Sequence, residues 1–225
     1  MYRPYHPPAD PIVVRELTRQ QEELRTRVRL EPLAAEPTLI AGCDSSFPTP
    51  DTILSVFVVL SFPKLELLEK VYHHDVVDLP YVPGFLAFRE APNLLRTYEK
   101  LQHKPDLIMV DGHGIAHPRR MGIASHLGVL LDMPTLGIAK QRLTGRYDEP
   151  AETAGSHTPL LDKGELIGEV LRTKDRVQPV FVSPGHRCDQ VSAMRLAWAC
   201  TKGYKLPEPT RLADKWTQEF KKELK

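Results

Sequence analysis

Residues 106–140 read DLIMVDGHGIAHPRRMGIASHLGVLLDMPTLGIAK, a strand–helix–strand pattern around which the other elements can be ordered. Asp106 to Asp111 is a short apolar run closed by an acid, the pattern of a compact buried strand. Ile123 to Leu131 reads as a helix, and Thr135 to Ala139 as another buried strand. Buried strands that follow helices are expected to lie parallel to a neighbour and to carry ligands at their C-terminal ends. Upstream, Thr38 to Asp44, Thr52 to Phe62 and Leu65 to Val77 are strand candidates with short connections, which predicts an antiparallel meander. Between the two groups, Gly84 to Leu101 has helical spacing through Phe85, Phe88, Leu95 and Tyr98, with Pro92 expected to bend or delay it. A first helix starts at Asp10-Pro11 and runs to about Leu30, with an apolar stripe of Val13, Leu17, Leu24 and Val28 suited to packing. Downstream, Leu166 to Leu171 and Val180 to Ser183 are further strands. Asp189 to Lys202, capped by Asp189 and stopped at Gly203, and Thr210 to Lys222 are the terminal helices. A meander, a helix and then strand–helix–strand make an α/β fold with a mixed sheet. No repeat or low-complexity stretch divides the chain, so one domain over 1–225 is expected.

Composition narrows the function classes. Of the 225 residues 41% are hydrophobic and 26% charged, so the chain can bury roughly 70% of its unfolded surface without a staple. Thirty Lys and Arg oppose 29 Asp and Glu, which excludes a strongly basic coat protein but not a local polyanion site. Three cysteines without CxxC spacing exclude a disulfide scaffold and a four-cysteine zinc site. Met1 to Pro8 is polar and proline-rich, with no apolar leader, and the apolar run Ile53 to Leu60 is too short to span a membrane. A cytoplasmic protein is expected.

Asp44 and Asp111 close buried apolar strands and fall together if those strands are neighbours. Two acids so placed are costly unless a cation lies between them. Their hard oxygens suit Mg²⁺. Glu90 could join them, although periodicity alone reads it as a solvated glutamate near a helix start. His113 and His117 have H-x3-H spacing, but the glycines around them indicate a loop, and no third zinc ligand is evident. Lys140 ends a buried strand beside the acids, where its charge could stabilise a transferring phosphate. Gly112, Gly114, Gly122 and Gly137 would let the backbone approach a ligand closely.

Residues 80–90, PYVPGFLAFRE, resemble the PYIPGFLxFRE signature of the endonuclease V family. Asp111 to His126 is similar to its DGxGxxHPRxxGxASH motif. Pro134 to Lys140, Ser183 to His186 and Pro207 to Arg211 follow in the family's order, so the resemblance runs from about Ile40 to Phe220.

The resemblance implies a ribonuclease H-like core and a hydrolase that nicks DNA containing deoxyinosine. The implied cut is the second phosphodiester bond 3′ to the lesion, made with Mg²⁺ or, as a substitute, Mn²⁺. By motif position Asp44, Glu90 and Asp111 would be metal carboxylates, with His117 and Lys140 as the other catalytic positions. Pro80, Tyr81, Val82 and Pro83 resemble the wedge that fills the gap left by a flipped base. Leu86, Gly112, Gly114, Gly122, Ile123 and Gly137 fall on the hypoxanthine pocket. Asp214 stands where some members have histidine and others aspartate, which makes it a candidate fourth metal ligand. Some members cut inosine-containing RNA, so an RNA-directed endonuclease is one alternative, and a non-catalytic inosine-binding module is another. A monomer is expected. Cys43, usually a small apolar residue in the family, is read as a buried hydrophobe.

Overall fold

A computed structural model describes residues 10–77 and 79–224. The proline-rich stretch Met1 to Pro8 lies outside the described residues. Helix α1 (Pro11–Arg25) starts as expected, with Asp10 accepting from the Ile12 N–H. Then come β1 (Leu39–Thr49), β2 (Thr52–Ser61), β3 (Leu67–Val76), α2 (Leu86–Glu99), β4 (Leu107–Asp111), α3 (Ile123–Leu131) and β5 (Thr135–Ala139). The chain continues through β6 (His157–Asp162), β7 (Glu165–Leu171), β8 (Val180–His186), α4 (Gln190–Ala199) and α5 (Glu208–Glu223). The eight strands form one sheet in the order β3-β2-β1-β4-β5-β8-β7-β6. β4 lies parallel to both β1 and β5, and the other pairings are antiparallel. The meander and the mixed sheet are therefore as read from sequence, and the α/β fold is of ribonuclease H-like type.

Two differences have local causes. β1 does not stop at Asp44 but runs on to Thr49, because β2 continues beside it and the Ser45 and Ser55 hydroxyls meet at 2.8 Å. β6 was not foreseen, since Pro159 interrupts its strand pattern; it lies at the sheet edge, where a proline is tolerated. Pro92 does not delay α2, which starts at Leu86 and holds the proline in its interior.

Period-two alternation sorts the strand residues between two cores. Ile40, Val56, Val58, Leu107, Met109, Leu136 and Ile138 pack with residues of α4 and α5. Ala41, Cys43, Phe57, Val59, Ile108 and Val110 pack with residues of α2 and α3. Cys43 is a fully buried member of that second core. α1 lies on α3, and its Leu17 packs with Val82 and Phe85. Among the described residues no helix is long and apolar enough to cross a membrane.

Candidate active site

The same alternation builds the site. Cys43 is in register with Val110 on the parallel neighbour, so Asp44 and Asp111 lie one step further along adjacent strands. Both are on the face covered by α5, two residues beyond Gly42 and Met109. Lys140 follows β5 on the same edge. Its ammonium donates to Asp111 Oδ2 at 2.6 Å and to Asp214 Oδ1 at 2.8 Å, with Asp214 projecting from α5. Oxygens of Asp44, Asp111 and Asp214 all lie within 4.8 Å of one another.

Gly42 determines how closely α5 approaches. A Cβ there would stand 2.0 Å from the Pro209 carbonyl oxygen, so any side chain would push the start of the helix off the sheet. The sequence signal was a glycine in mid-strand, which often marks close backbone approach. Nothing else in the residues around Gly42 marks it.

Crowding of the acids shows in their titration. Burial, then Asp111, raises Asp44 to about 7, against the Thr217 hydroxyl and Lys140. Glu90 lies outside the tight aspartate cluster because it reaches the centre from α2, on the other face of the sheet. Burial, then Asp44 and Asp111, nonetheless raises it to about 8. Burial also raises Asp111, with Lys140 opposing. Burial works against the Lys140 charge, but Asp111 and Asp214 outweigh it and raise its pKa. These hard, mutually repelling oxygens, already partly neutralised by an ammonium group, fit a divalent cation of the magnesium class.

The sign of the pH dependence follows. Asp44 and Glu90 hold protons in the folded protein that the unfolded chain releases at lower pH. Their contribution to stability is full below the unfolded pKa values, near 4, and is lost as pH rises through about 7 to 8. Without divalent cation the unfolding temperature should therefore fall between pH 5 and pH 9. Mg²⁺ should offset the fall most strongly at the alkaline end. Calorimetry across pH, with and without Mg²⁺, measures this; a metal-free unfolding temperature that climbed over that range would contradict it.

Beside the carboxylates is a cavity of about 250 Å³, whose lining includes Tyr81, Leu86, Glu90, Asp111, Gly112 and Ile123. Gly122 and His117 also border it. Gly112 has φ +151°, a conformation favoured by glycine, and a Cβ there would stand 2.5 Å from Ile123 Cγ2. Gly114 and Gly137 lie behind the wall, where Gly137 supports the backbone of Gly112 to Gly114. The N–H groups of Gly112, Gly114 and Gly122 are already engaged by Ile138 O, Ser183 Oγ and Gly114 O. The Ile123 end of the cavity is the start of α3, which has no side-chain cap. Ala87, Met121 and Leu143 also line the cavity and had not been expected from sequence. Leu143 lies in the loop after β5, where neither periodicity nor a motif points to it.

In residues 80–83, Val82 is 6% exposed and packs with Leu17 and Phe85, while Tyr81 is 41% exposed. Pro80 and Pro83 are exposed on either side. Val82 thus anchors a stiff turn that presents the tyrosine ring. His117 is buried, and its Nδ1 accepts from the Arg119 N–H at 3.2 Å. Burial, then Arg119, lowers its pKa to about 4, so the ring is neutral at pH 7, and a hydrogen bond to the Gly84 backbone ties its loop to the turn before α2. His113 donates from Nε2 to the Gln141 carbonyl, so the two histidines are in separate loop contacts, and neither belongs to the carboxylate cluster.

A sequence model of the family described as Endonuclease V matches residues 22–215. The Endonuclease V of Trichormus variabilis is 49% identical over 213 residues, covering 94% of this chain and 96% of its own length. The crystal structure of the Streptomyces avermitilis Endonuclease V has a TM-score of 0.88 and 41% identity, covering 93% of each chain. A Ciona intestinalis Endonuclease V, 27% identical with a TM-score of 0.84, covers 95% of this chain and 100% of its own. It was crystallised with a 24mer DNA containing an inosine followed by a ribo-adenosine. An edge of hard carboxylates over a sheet of this topology, in a chain matched along nearly its whole length, leads to one conclusion: the protein belongs to the endonuclease V family of nucleases.

Proposed function

We propose that this protein nicks DNA containing deoxyinosine at the second phosphodiester bond 3′ to the lesion, with Mg²⁺ as its ion and Mn²⁺ as a substitute. The observation that carries the reading is the meeting of Asp44, Asp111 and Asp214 beside a cavity bordered by an exposed tyrosine and by close backbone. Asp44, Asp111 and Asp214 would hold the ion, with Glu90 joining from the opposite face. Bound there, a divalent ion supplies Lewis acidity and an activated water. Lys140 places a positive charge next to the reacting phosphate, and His117 fixes the loops around the base. Tyr81, carried by Pro80, Val82 and Pro83, fills the gap in the duplex. Leu86, Gly112, Gly122 and Ile123 enclose hypoxanthine, with Gly114 and Gly137 as the support behind them. A backbone donor at the Ile123 end facing O6 would disfavour adenine, whose N6 amino group is itself a donor.

The protein is proposed to act as one domain over 1–225, as a monomer, in the cytoplasm. Three buried, unpaired cysteines support a reducing compartment. A non-catalytic inosine binder is not favoured, because it has no use for three converging carboxylates. The test is cleavage of matched deoxyinosine DNA and inosine RNA oligonucleotides with and without Mg²⁺. Metal-dependent nicking of the DNA supports the proposal. Binding without any cleavage would give the binder reading, and cleavage of RNA alone would give the endoribonuclease.

Loss of the Tyr81 ring should cost about 1–3 kcal/mol of binding if stacking against a base is lost. Tyr81→Ala is therefore expected to weaken binding to a deoxyinosine duplex more than to the single strand, where no gap needs filling. Gel shifts in Ca²⁺ compare the two; equal losses would contradict the wedge. Asp214→Ala should raise the Mg²⁺ concentration for half-maximal nicking, and Asp214→His should retain activity while shifting preference toward Mn²⁺. Metal titrations of the three proteins decide this. An unchanged metal requirement would reduce Asp214 to an anchor for Lys140.

A further inference from the structure

The loop between β5 and β6 has two faces. Leu143 lines the smaller cavity beside the carboxylates. Arg142 and Tyr147 line a second cavity of about 580 Å³, which Lys140 also borders. The His113 contact to Gln141 O, at 3.0 Å, ties the root of this loop to the connection between β4 and α3. One ammonium group thus lies at both the carboxylate centre and the mouth of the second cavity, and one loop separates the two cavities.

The second cavity is a built site. Arg172, 5% exposed, follows β7 and donates to Ala151 O and Pro150 O and to the Glu149 carboxylate on one side. On the other side it donates to Val177 O, next to Gln178. A buried guanidinium therefore fixes both walls, and it engages the one carboxylate that borders the space. Tyr147 is held edge-on to Phe181 with centroids 5.4 Å apart, and the Arg142 guanidinium lies 5.9 Å from the Tyr147 ring centroid. Two cations suit a phosphate, the carboxamides of Gln141 and Gln178 suit a base edge, and the ring offers a stacking surface. The volume is within the roughly 300–1,000 Å³ typical of ligand pockets.

We infer that this cavity holds the nucleotide immediately 3′ to the nicked bond, the one that leaves with the new 5′-phosphate. The inference rests on the proposed reading of the carboxylate centre as the nicking site. A strand whose deaminated base occupies the smaller cavity reaches Lys140 at its second phosphodiester bond. The next nucleotide then falls on the far side of the loop.

The test uses deoxyinosine duplexes with an abasic residue either just 3′ to the cut or between the lesion and the cut. Wild type should nick the first about tenfold more slowly than the unmodified duplex, the scale of one lost stacking contact. The variant Tyr147→Ala/Gln178→Ala, which removes the stacking ring and one base-edge carboxamide, should be slowed on the unmodified duplex and hardly further by the outer abasic residue. On the inner abasic duplex its penalty should remain in full. In Ca²⁺, 2-aminopurine just 3′ to the cut should change fluorescence on binding to wild type and less so with the variant. Penalties that multiply at the outer position, coupling at the inner one, or a fluorescence change the variant retains would overturn the assignment. If wild type nicks no deoxyinosine duplex at all, the function on which the inference rests is what fails.

Discussion

Asp111→Asn is expected to lower nicking of a deoxyinosine duplex by about a hundredfold to a thousandfold, the scale on which removing an electrostatic stabiliser from an active site is felt. The carboxylate clusters with those of Asp44 and Asp214, and it receives the Lys140 ammonium at 2.6 Å. Its loss removes a metal oxygen and leaves Lys140 to Asp214 alone. Lesion binding should persist, because the tyrosine wedge and most of the base cavity are elsewhere. Stability should move the other way from activity. Burial raises the pKa of Asp111, and its charge helps to raise those of Asp44 and Glu90. An uncharged side chain there relieves the repulsion, so the metal-free protein should unfold at the same temperature or higher near pH 8. Single-turnover nicking and thermal unfolding read the two effects. Mg²⁺-dependent turnover near the wild-type rate would sink the assignment of Asp111, and a large drop in unfolding temperature would make it a structural residue instead.

Gly42→Ala is expected to damage the site without touching substrate. The added Cβ would stand 2.0 Å from Pro209 O and 2.2 Å from its carbonyl carbon, and backbone cannot swing aside as a side-chain tip can. α5 must move, at the cost of about 1–3 kcal/mol typical of overpacking. Asp214 moves with it, away from Asp44 and Lys140. The expected result is a lower unfolding temperature together with a higher Mg²⁺ requirement. Thr210→Ser, at a buried position on the same helix, serves as the control and should change the metal requirement little. Normal metal dependence in Gly42→Ala would show that α5 does not set the position of the third carboxylate.

The site residues differ in how plainly the sequence marks them. The meeting of Asp44 and Asp111 was legible because two buried strands in parallel register bring their C-terminal acids together, and β1 and β4 are so arranged. Lys140 was legible for the same reason, at the end of β5. Glu90 was not, since a glutamate early in an amphipathic helix looks solvated; only the family motif singled it out. Its surroundings depend on where α2 crosses the sheet edge, which is a tertiary property. Asp214 lies far along the chain from the strands it meets, and the close approach at Gly42 that brings it there has no local signature beyond one glycine. Leu143 and Arg142 sit in an irregular loop, where no period exists to report which face a side chain takes. β6 escaped notice because edge strands tolerate the proline that interior strands exclude.

The most direct measurement is end-mapping of the nick. A duplex with one deoxyinosine, labelled at the 5′ end of that strand, should give with Mg²⁺ a single product ending in a 3′-hydroxyl one nucleotide beyond the lesion. The same duplex with chelator, or with adenine in place of the lesion, should stay intact. Cleavage at scattered positions, cleavage of the undamaged strand at a similar rate, or turnover in the presence of chelator would contradict a carboxylate-held metal acting beside a hypoxanthine pocket.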